Sequence, residues 1–185
     1  MKIKVKLYNG QQLPKVIEKG DWIDIFPTEE IRLECPFANM LKRSRANNQD
    51  KSVRFVEFKP KFIDLGIAMQ LPPGYEAHVL PRSSSFKKWG FLLVNSQGII
   101  DNSYRGNTDK WGAWLLPTKN ATLTTDKAIL QFRITLSQKA TIWQKIKWLF
   151  SNGKIEFVEV NDLCSTARGG FGSTDVQIHC KNRIN

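Results

Sequence analysis

The chain has 185 residues, of which 41% are hydrophobic, and a formal net charge of +11 at pH 7. This length and composition predict one folded domain with its own core and exclude a disordered or fibrous chain. No apolar run is long enough to cross a bilayer, and the lysine-rich N-terminus lacks the continuous apolar stretch of a secretory signal. The positive charge favours polyanionic partners such as nucleotides, nucleic acid or an anionic membrane, although solubility alone also explains it.

The three cysteines indicate the redox compartment. Cys35, Cys164 and Cys180 are widely spaced and form no CxxC pair. An odd number of scattered cysteines is typical of free thiols, not of a disulfide framework or a zinc site. We therefore expect a cytoplasmic protein, or one in the cytoplasm of a host cell if a phage encodes it.

Short β-like runs separated by proline and glycine make up most of the chain. Residues 2–7 alternate lysine with Ile3, Val5 and Leu7, which predicts a strand with one apolar face. Further strands are predicted at Val53–Phe58, Ala77–Leu80, Phe91–Val94, Ala113–Leu116, Ile129–Ile134 and Lys154–Val160. Regularly spaced short strands with turn signals between them indicate an all-β sandwich or barrel.

Two segments interrupt this pattern. The first is polar and basic, contains Lys42-Arg43-Ser44-Arg45, and is predicted to be a long loop. The second, Thr141–Ser151, places apolar residues at helical spacing and ends at Asn152-Gly153, which predicts a short amphipathic helix. We expect its apolar face to dock on its own domain or on an oligomer partner, while membrane-surface or protein-partner binding remains open.

The segment Pro81-Arg82-Ser83-Ser84-Ser85 carries groups that bind phosphate. An arginine offers a planar fork of donors for phosphate oxygens, and serine hydroxyls add further hydrogen bonds. The alternative is a capped turn before a helix, and both can hold because a helix N-terminus also attracts phosphate.

The segment Asn95–Gly106 lies between two apolar runs and is predicted to form a β-hairpin carrying Asp101 and Tyr104. A carboxylate beside a bound polyphosphate can act as a general base on water. A tyrosine ring can pack against a sugar. On the alternative interpretation, Asp101 and Asn102 are only turn residues.

The C-terminal segment Ser165–Asp175 is rich in glycine, serine and threonine. Its backbone N–H groups and hydroxyls could bind phosphate, and Phe171 could stack on a ring. A disordered terminus is the alternative.

Taken in order, these segments resemble the five motifs of the trimeric dUTP diphosphatase family, including its phage and prophage members. The third motif, Asn-x-x-Gly-x-Ile-Asp-x-x-Tyr-Arg-Gly, is matched at every position by Asn95–Gly106. The second resembles Pro81–Ser84, the fourth Thr125–Gln131 and the fifth Gly169–Thr174. The first is degenerate, and we align Asp24 with its aspartate.

The resemblance implies a dUTPase-like, jelly-roll-like β-barrel or sandwich. It divides the chain into a single domain at 1–162, with insertions at about 36–52 and 139–153, and a mobile C-terminal arm at 163–185. It also implies a homotrimer whose active sites are shared among subunits and whose substrate is dUTP. No membrane is expected as a partner, whereas a protein partner could bind through the insertions.

The resemblance further implies a role for each matched residue in the hydrolysis of dUTP to dUMP and pyrophosphate. Asp101 would activate the attacking water. Asp24 would orient waters on an Mg²⁺ ion that the triphosphate carries. The substrate would be bound by Arg82, Ser83, Ser84, Asn95, Gly98, Ile100, Tyr104, Gln131, Arg168, Phe171, Gly172, Ser173 and Thr174.

The fifth motif departs from the family pattern. Family members place an arginine five residues before the phenylalanine, where this chain has Thr166. Arg168 lies three residues before Phe171, and we expect it to replace the missing arginine. Asp175 stands where the family usually has glycine and would weaken the grip of the arm on the phosphates.

Two alternatives stay open, one within the enzymes and one from a different class. A dCTP deaminase shares the fold and an Arg-Ser-Ser element, but it lacks the complete third motif. A regulatory protein with a dUTPase fold would act by binding a macromolecular partner, as some phage relatives are understood to do through insertions near the active site.

Overall fold

The structure is a computed structural model that describes residues 1–16, 20–36, 58–151 and 154–170. Most of the predicted basic loop, and the strand predicted at Val53–Phe58 up to residue 57, lie outside the described residues. So do residues 152 and 153 and the arm from Phe171 onward, with Gly172, Ser173, Thr174 and Asp175.

The described residues form twelve short strands, as the pattern of alternating runs predicts. The strands are β1 (Lys2–Leu7), β2 (Ile23–Ile25), β3 (Ile31–Leu33), β4 (Lys61–Asp64), β5 (Ile67–Gln70), β6 (Tyr75–Pro81), β7 (Phe91–Leu93), β8 (Gly98–Asp101), β9 (Gly112–Pro117), β10 (Ala121–Leu123), β11 (Leu130–Leu136) and β12 (Glu156–Glu159). The helices are α1 (Ser85–Trp89) and α2 (Ile142–Leu149).

The strands form four small sheets whose pairs are antiparallel, apart from the parallel pair of β1 and β12. In hydrogen-bonded order they are β12-β1-β5, β10-β3, β2-β11-β6-β8 and β4-β9-β7. Among the described strands no sheet closes on itself. The predicted all-β class is therefore confirmed, in an open, layered form without a closed barrel.

The core lies between the inner faces of these sheets. Ile3 and Val5 of β1 have no exposed surface, and Phe132 of β11 packs edge-on against Trp111 with ring centroids 5.2 Å apart. Burying one such side chain contributes about 1.5–3 kcal/mol relative to leaving it exposed. The alternation seen in the sequence thus decides which face of each strand points inward.

The segment Asn95–Gly106 does not form the predicted β-hairpin. Strand β8 pairs with β6, so that Gly98 lies opposite Val79 and Asp101 opposite Glu76. Strand β7, which precedes the turn, pairs instead with β9 in a different sheet. The turn between β7 and β8 contains Ser96 at a φ of 58°, and this left-handed residue directs the chain from one sheet to the other.

Helix α2 forms where the apolar spacing predicts it, but its apolar face does not dock on its own domain. Thr141 and Gln144 make a capping box that begins the helix. Gln144 donates to the carbonyl of Pro73 at 2.7 Å, and Trp148 packs on Tyr75 with ring centroids 5.5 Å apart. These two residues, four apart, define the side of the helix that meets the domain.

The apolar stripe lies on the opposite side of α2, because helical geometry places it roughly half a turn away from Gln144 and Trp148. Its side chains remain 40–82% exposed: Ile142, Trp143, Ile146, Leu149 and Phe150. Within one chain this face therefore does not pack on its own domain, and the alternative expectation, packing on an oligomer partner, stays a prediction. No helix in the described part of the chain is long and apolar enough to span a membrane.

Candidate functional site

A cavity of about 270 Å³ lies beside β8 and β9. Apolar side chains of Val79, Trp111 and Ala113 form part of its wall. Six of the predicted site residues line it: Asn95, Gly98, Ile100, Asp101, Tyr104 and Arg168. The structure therefore brings the third motif and the start of the arm together around one cavity, as a small-ligand site requires.

Asp101 ends strand β8 at the rim of this cavity. Its Oδ1 accepts hydrogen bonds from the backbone N–H of Ser103 at 2.7 Å and from the Ser103 hydroxyl at 2.5 Å. Its Oδ2 accepts from Nη1 of Arg168 at 2.5 Å. Burial raises the pKa of Asp101, but the bonds from Ser103 and the Arg168 guanidinium outweigh it and hold the pKa below its usual value. The carboxylate is therefore ionised at neutral pH.

Tyr104 is held in place by its phenol group, which donates to the backbone carbonyl of Lys110 at 2.8 Å. Burial, with the carboxylates of Asp109 and Asp64, raises the pKa of Tyr104, so the phenol stays protonated. A fixed, neutral ring at the cavity wall can pack against a sugar and exclude a bulkier one.

His78 supports the turn that carries Asn95 and Gly98, and the sequence does not predict this role. Gln97 donates to Nδ1 of His78 at 2.6 Å, and Nε2 of His78 bonds Glu76 at 2.8 Å. Because the Gln97 amide nitrogen donates to Nδ1 of His78, the ring proton lies on Nε2, and this N–H group donates a hydrogen bond to Glu76. His78 thus supports the turn beside the cavity.

A second group of predicted site residues gathers around the end of β6. Nε of Arg82 lies 3.0 Å from a carboxylate oxygen of Asp24, and Gln131 donates to the carbonyl of Pro81 at 3.3 Å. Gln131 of β11 is the register partner of Asp24 on β2. An arginine, an amide and a carboxylate at one edge are suited to phosphates and a hydrated cation.

The serines after Arg82 divide between structure and site. Ser84 precedes helix α1 but makes no side-chain capping bond, so the predicted capped turn does not involve its hydroxyl. Ser85 is buried and donates to the carbonyl of Ile129 at 2.6 Å. Ser83 is exposed, and Ser84 is half-buried. The structure therefore leaves Ser83 and Ser84 available to a ligand, while Ser85 supports the core.

The two groups are separated within one chain. Asp101 lies opposite Glu76 near the start of β6, whereas Arg82 follows the other end of that strand. Six residues of extended chain span roughly 20 Å. One chain therefore does not bring Arg82 and Gln131 next to Asp101.

Asp109 is a further residue at this site that motif spacing does not indicate. It has no exposed surface, and its carboxylate binds backbone N–H groups of Gly106, Arg168 and Gly169. In the sequence, Asp109 is recognisable only as an acidic residue soon after Tyr-Arg-Gly, and an acidic residue at that place is equally typical of an exposed turn.

Comparison with known proteins shows the family of the chain. No protein-family model matches the chain. A curated relative, the SPbeta prophage-derived deoxyuridine 5'-triphosphate nucleotidohydrolase YosS of Bacillus subtilis (strain 168), is 33% identical over 175 residues, which cover 94% of this chain and 98% of the relative. The chain belongs to the dUTP nucleotidohydrolase, or dUTPase, family.

Solved dUTPase structures share the fold. The dUTPase of Streptococcus mutans matches with a TM-score of 0.55 at 16% identity and covers 75% of this chain and 98% of its own. The D95N dUTPase of Staphylococcus aureus phage phi11, described as coordinating a structural Mg(II) ion, matches with a TM-score of 0.54 at 15% identity. That match covers 76% of this chain and 94% of the phage protein. These structures show the fold, and the 33% identical relative confirms the family resemblance seen in the motifs.

Proposed function

We propose that this chain hydrolyses dUTP to dUMP and pyrophosphate, which supplies dUMP and limits uracil in DNA. The observation that carries the proposal is the cavity lined by Asn95, Gly98, Ile100 and Tyr104 of the third motif, with an ionised Asp101 at its rim. We infer a cytoplasmic location from the free thiols of Cys35 and Cys164.

Asp101 acts as the general base. Its carboxylate takes a proton from a water molecule as the water oxygen forms a bond to the α-phosphorus. The bond from that phosphorus to the bridging oxygen breaks, and pyrophosphate leaves. A base with a depressed pKa is ionised at pH 7 and is oriented by Ser103, so that it is ready to accept the proton.

The cavity recognises the nucleoside. Asn95 and the backbone around Gly98 and Ile100 face the uracil edge, and the fixed ring of Tyr104 packs on the deoxyribose. Because the Tyr104 phenol is bonded to the backbone of Lys110, the ring cannot withdraw to admit a 2′-hydroxyl. The arm residues Phe171, Gly172, Ser173 and Thr174 lie outside the described residues, and their contacts with uracil and phosphates are carried over from the family resemblance.

The triphosphate is bound by Arg82, Ser83, Ser84 and Gln131, with Arg168 replacing the arginine that the arm lacks. Arg82 and Gln131 lie together at the end of β6 with Asp24. Arg168 lies beside Asp101, so its guanidinium would meet the α-phosphate end of the substrate. An arginine fork offers bidentate bonds to phosphate oxygens.

Magnesium fits this arrangement as an ion carried by the triphosphate. The described residues contain no cluster of three or more His, Cys, Asp or Glu side chains that would hold a metal by themselves. Mg²⁺ keeps several waters and is usually held by one or two carboxylates and substrate phosphates. Asp24, a single carboxylate among the phosphate-binding residues, is suited to hold its waters; the ion would offset charge on the phosphates.

The separation of the two residue groups supports a site shared between chains, as in a homotrimer. Beside the cavity, the sheet β4-β9-β7 presents an outer face of large apolar side chains that are 39–49% exposed: Phe62, Leu92, Val94 and Trp114. A second copy covering such a face would remove apolar surface from water and could bring its own Arg82 to this Asp101.

The experiment is a pyrophosphate-release assay with dUTP and Mg²⁺, run beside dCTP with detection of ammonia. We expect release from dUTP and no ammonia from dCTP. Asp101→Asn keeps the shape but removes the base, so it should lower the rate by roughly 10²–10⁴-fold while dUMP still binds. Ammonia release, or an unchanged rate in Asp101→Asn, would refute the proposal.

A further inference from the structure

We propose that Asp109 is a positioning residue that fixes the start of the C-terminal arm on the loop after Tyr104 and thereby holds Arg168 against Asp101. The inference rests on the proposed function only in that it takes Asp101 to be the base. The arm residues it concerns, Ala167 to Gly170, all belong to the described part of the chain.

Asp109 joins two segments that are far apart in sequence. Its Oδ2 accepts from the N–H of Gly106 at 2.8 Å and of Arg168 at 2.9 Å, and its Oδ1 accepts from Gly169 at 3.0 Å. The side chain has no exposed surface. A buried carboxylate is costly unless hydrogen bonds replace its hydration, and here backbone N–H groups do so.

The ionisation of Asp109 agrees with this role. Burial raises the pKa of Asp109, but the backbone N–H groups of Arg168, Gly106, Gly169 and Arg105 outweigh burial and hold the pKa below its usual value. A charged acceptor makes stronger hydrogen bonds than a neutral one. At neutral pH the arm is therefore attached through a negatively charged carboxylate.

The loop is also shaped to receive the arm. A Cβ on Gly106 would lie 2.4 Å from Cα of Ala167, so only glycine lets the arm backbone pass this closely. A Cβ on Gly170 would lie 3.0 Å from the ring of Tyr104. The arm thus runs against the backbone of the Tyr-Arg-Gly turn and then across the Tyr104 ring.

A second attachment lies just before this one. Asn107 accepts from the N–H of Leu163 at 3.0 Å and donates to Asp162 at 2.7 Å, and Leu163 is fully buried. Held at Leu163 and at Gly169, the intervening chain has little freedom. The backbone of Arg168 is fixed by Asp109, and its side chain reaches Asp101.

The charged groups around Asp101 leave Arg168 as its direct partner in the described chain. Glu76 lies opposite Asp101 on β6, but its carboxylate is bonded to His78. Lys110 lines the same cavity, but its ammonium group lies 3.2 Å from Asp64. Moving Arg168 away would therefore leave Asp101 beside Glu76 without a cation, which disfavours its ionised form.

Two readouts on the intact oligomer test the inference. The first is hydrogen exchange at the amides of Arg168 and Gly169 without nucleotide. The second is the pH profile of kcat/KM for dUTP. In Asp109→Asn we expect these amides to exchange at least about tenfold faster, because the amide group of Asn cannot accept from all three donors. The acid limb of the profile should move to higher pH.

Further variants separate two effects, the attachment of the arm by Asp109 and the ionisation of Asp101. Arg168→Ala should move the acid limb in the same direction while the amide of Gly169 stays protected, and Arg168→Lys should restore the limb in part. Gly106→Ala, which changes no charge, should release the arm as Asp109→Asn does. Glu159→Gln removes an exposed carboxylate from β12 and should match the wild type in both readouts.

Unchanged amide exchange and an unchanged pH profile in Asp109→Asn would overturn the inference. If Asp109→Asn fails to fold, Gly106→Ala decides, and protected Arg168 and Gly169 amides in that variant would refute the inference. If the wild type does not hydrolyse dUTP, only the proposed function is refuted, because the exchange measurement still tests whether Asp109 fixes the arm.

Discussion

Arg82 and Asp101 lie at opposite ends of strand β6, Arg82 after Pro81 and Asp101 across from Glu76. Six residues of strand place them roughly 20 Å apart, too far for one triphosphate to bind both directly within a single chain. If the site is built between chains, two variants that are inactive alone should complement each other. Mixing Arg82→Ala with Asp101→Asn and refolding them together should restore about a quarter of the sites.

The measurement is dUTP hydrolysis by the mixed oligomer against each parent. In an intersubunit site, one chain supplies Arg82 and its neighbour supplies Asp101, so some sites in the mixture carry neither substitution. In a site within one chain, every site carries one substitution. Mixing the two variants without unfolding serves as the control, and activity no higher than that of the parents after refolding would contradict a shared site.

The strands and the third-motif residues around the cavity could be predicted from sequence, because both depend on local signals. Alternation of lysine with Ile3 and Val5 marks a strand with one buried face, and those two residues are fully buried. The spacing from Asn95 to Tyr104 likewise keeps those residues on one short strand and on the segments that flank its two ends. Local chemistry was sufficient for both.

Features that depend on distant partners could not be predicted. The interpretation of Asn95–Gly106 as a hairpin was wrong because the chain changes sheets at Ser96, and alternation does not tell which strand a run pairs with. Asp109 resembled an ordinary turn residue, because its partners Arg168 and Gly169 are about 60 positions away in sequence. The exposure of the apolar stripe of α2 could not be predicted either, because spacing defines an apolar stripe but not what covers it.

Arg168→Ala should lower kcat/KM for dUTP at neutral pH. Loss of a charge-assisted hydrogen bond typically costs about 1.5–3 kcal/mol, which corresponds to roughly 10–100-fold. Because Arg168 lies beside Asp101, we expect it to meet the α-phosphate, so that dUMP binding weakens together with dUTP binding. Steady-state kinetics and calorimetry with both nucleotides measure the two effects.

Arg168→Lys is the matched variant for this prediction, since it keeps the charge but loses the fork of donors. Its kcat/KM for dUTP should lie between the values of the wild type and Arg168→Ala. Weakened dUTP binding with unaltered dUMP binding would instead place Arg168 at the terminal phosphates. Unchanged kcat and KM in Arg168→Ala would exclude a phosphate-binding role.

The buried carboxylate of Asp109 should make the fold sensitive to acid. Its pKa is lowered in the folded chain, so its stabilising contribution is fully present above the unfolded value of about 3.9. That contribution is lost as pH falls through the lower folded pKa. Urea unfolding at pH 7 and at about pH 3 should therefore show a smaller acid-induced loss of stability in Asp109→Asn than in the wild type.

At pH 7 the same variant should be less stable by about 1–3 kcal/mol, because a buried backbone N–H loses its acceptor. Glu159→Gln, which removes an exposed carboxylate, should follow the wild type at both pH values. Equal acid sensitivity in Asp109→Asn and the wild type would show that folding does not lower the pKa of Asp109.

Truncation of the two tryptophans of helix α2 should have unequal effects on stability. Trp148 is half-buried and packs on Tyr75 with ring centroids 5.5 Å apart, whereas Trp143 is 79% exposed. Trp148→Ala should destabilise the attachment of the helix by about 0.5–1.5 kcal/mol beyond the lost apolar burial. Trp143→Ala should stay within about 0.5 kcal/mol of the wild type, as is usual for exposed positions.

Urea unfolding gives the global effect, and hydrogen exchange of the α2 amides reports the helix directly. Both variants remove an indole from one helix, so helix propensity and tryptophan content change equally in each, and the difference isolates the contact with Tyr75. Equal destabilisation by both would contradict an exposed Trp143. It would mean that a neighbouring copy of the chain covers the apolar stripe in the assembled protein.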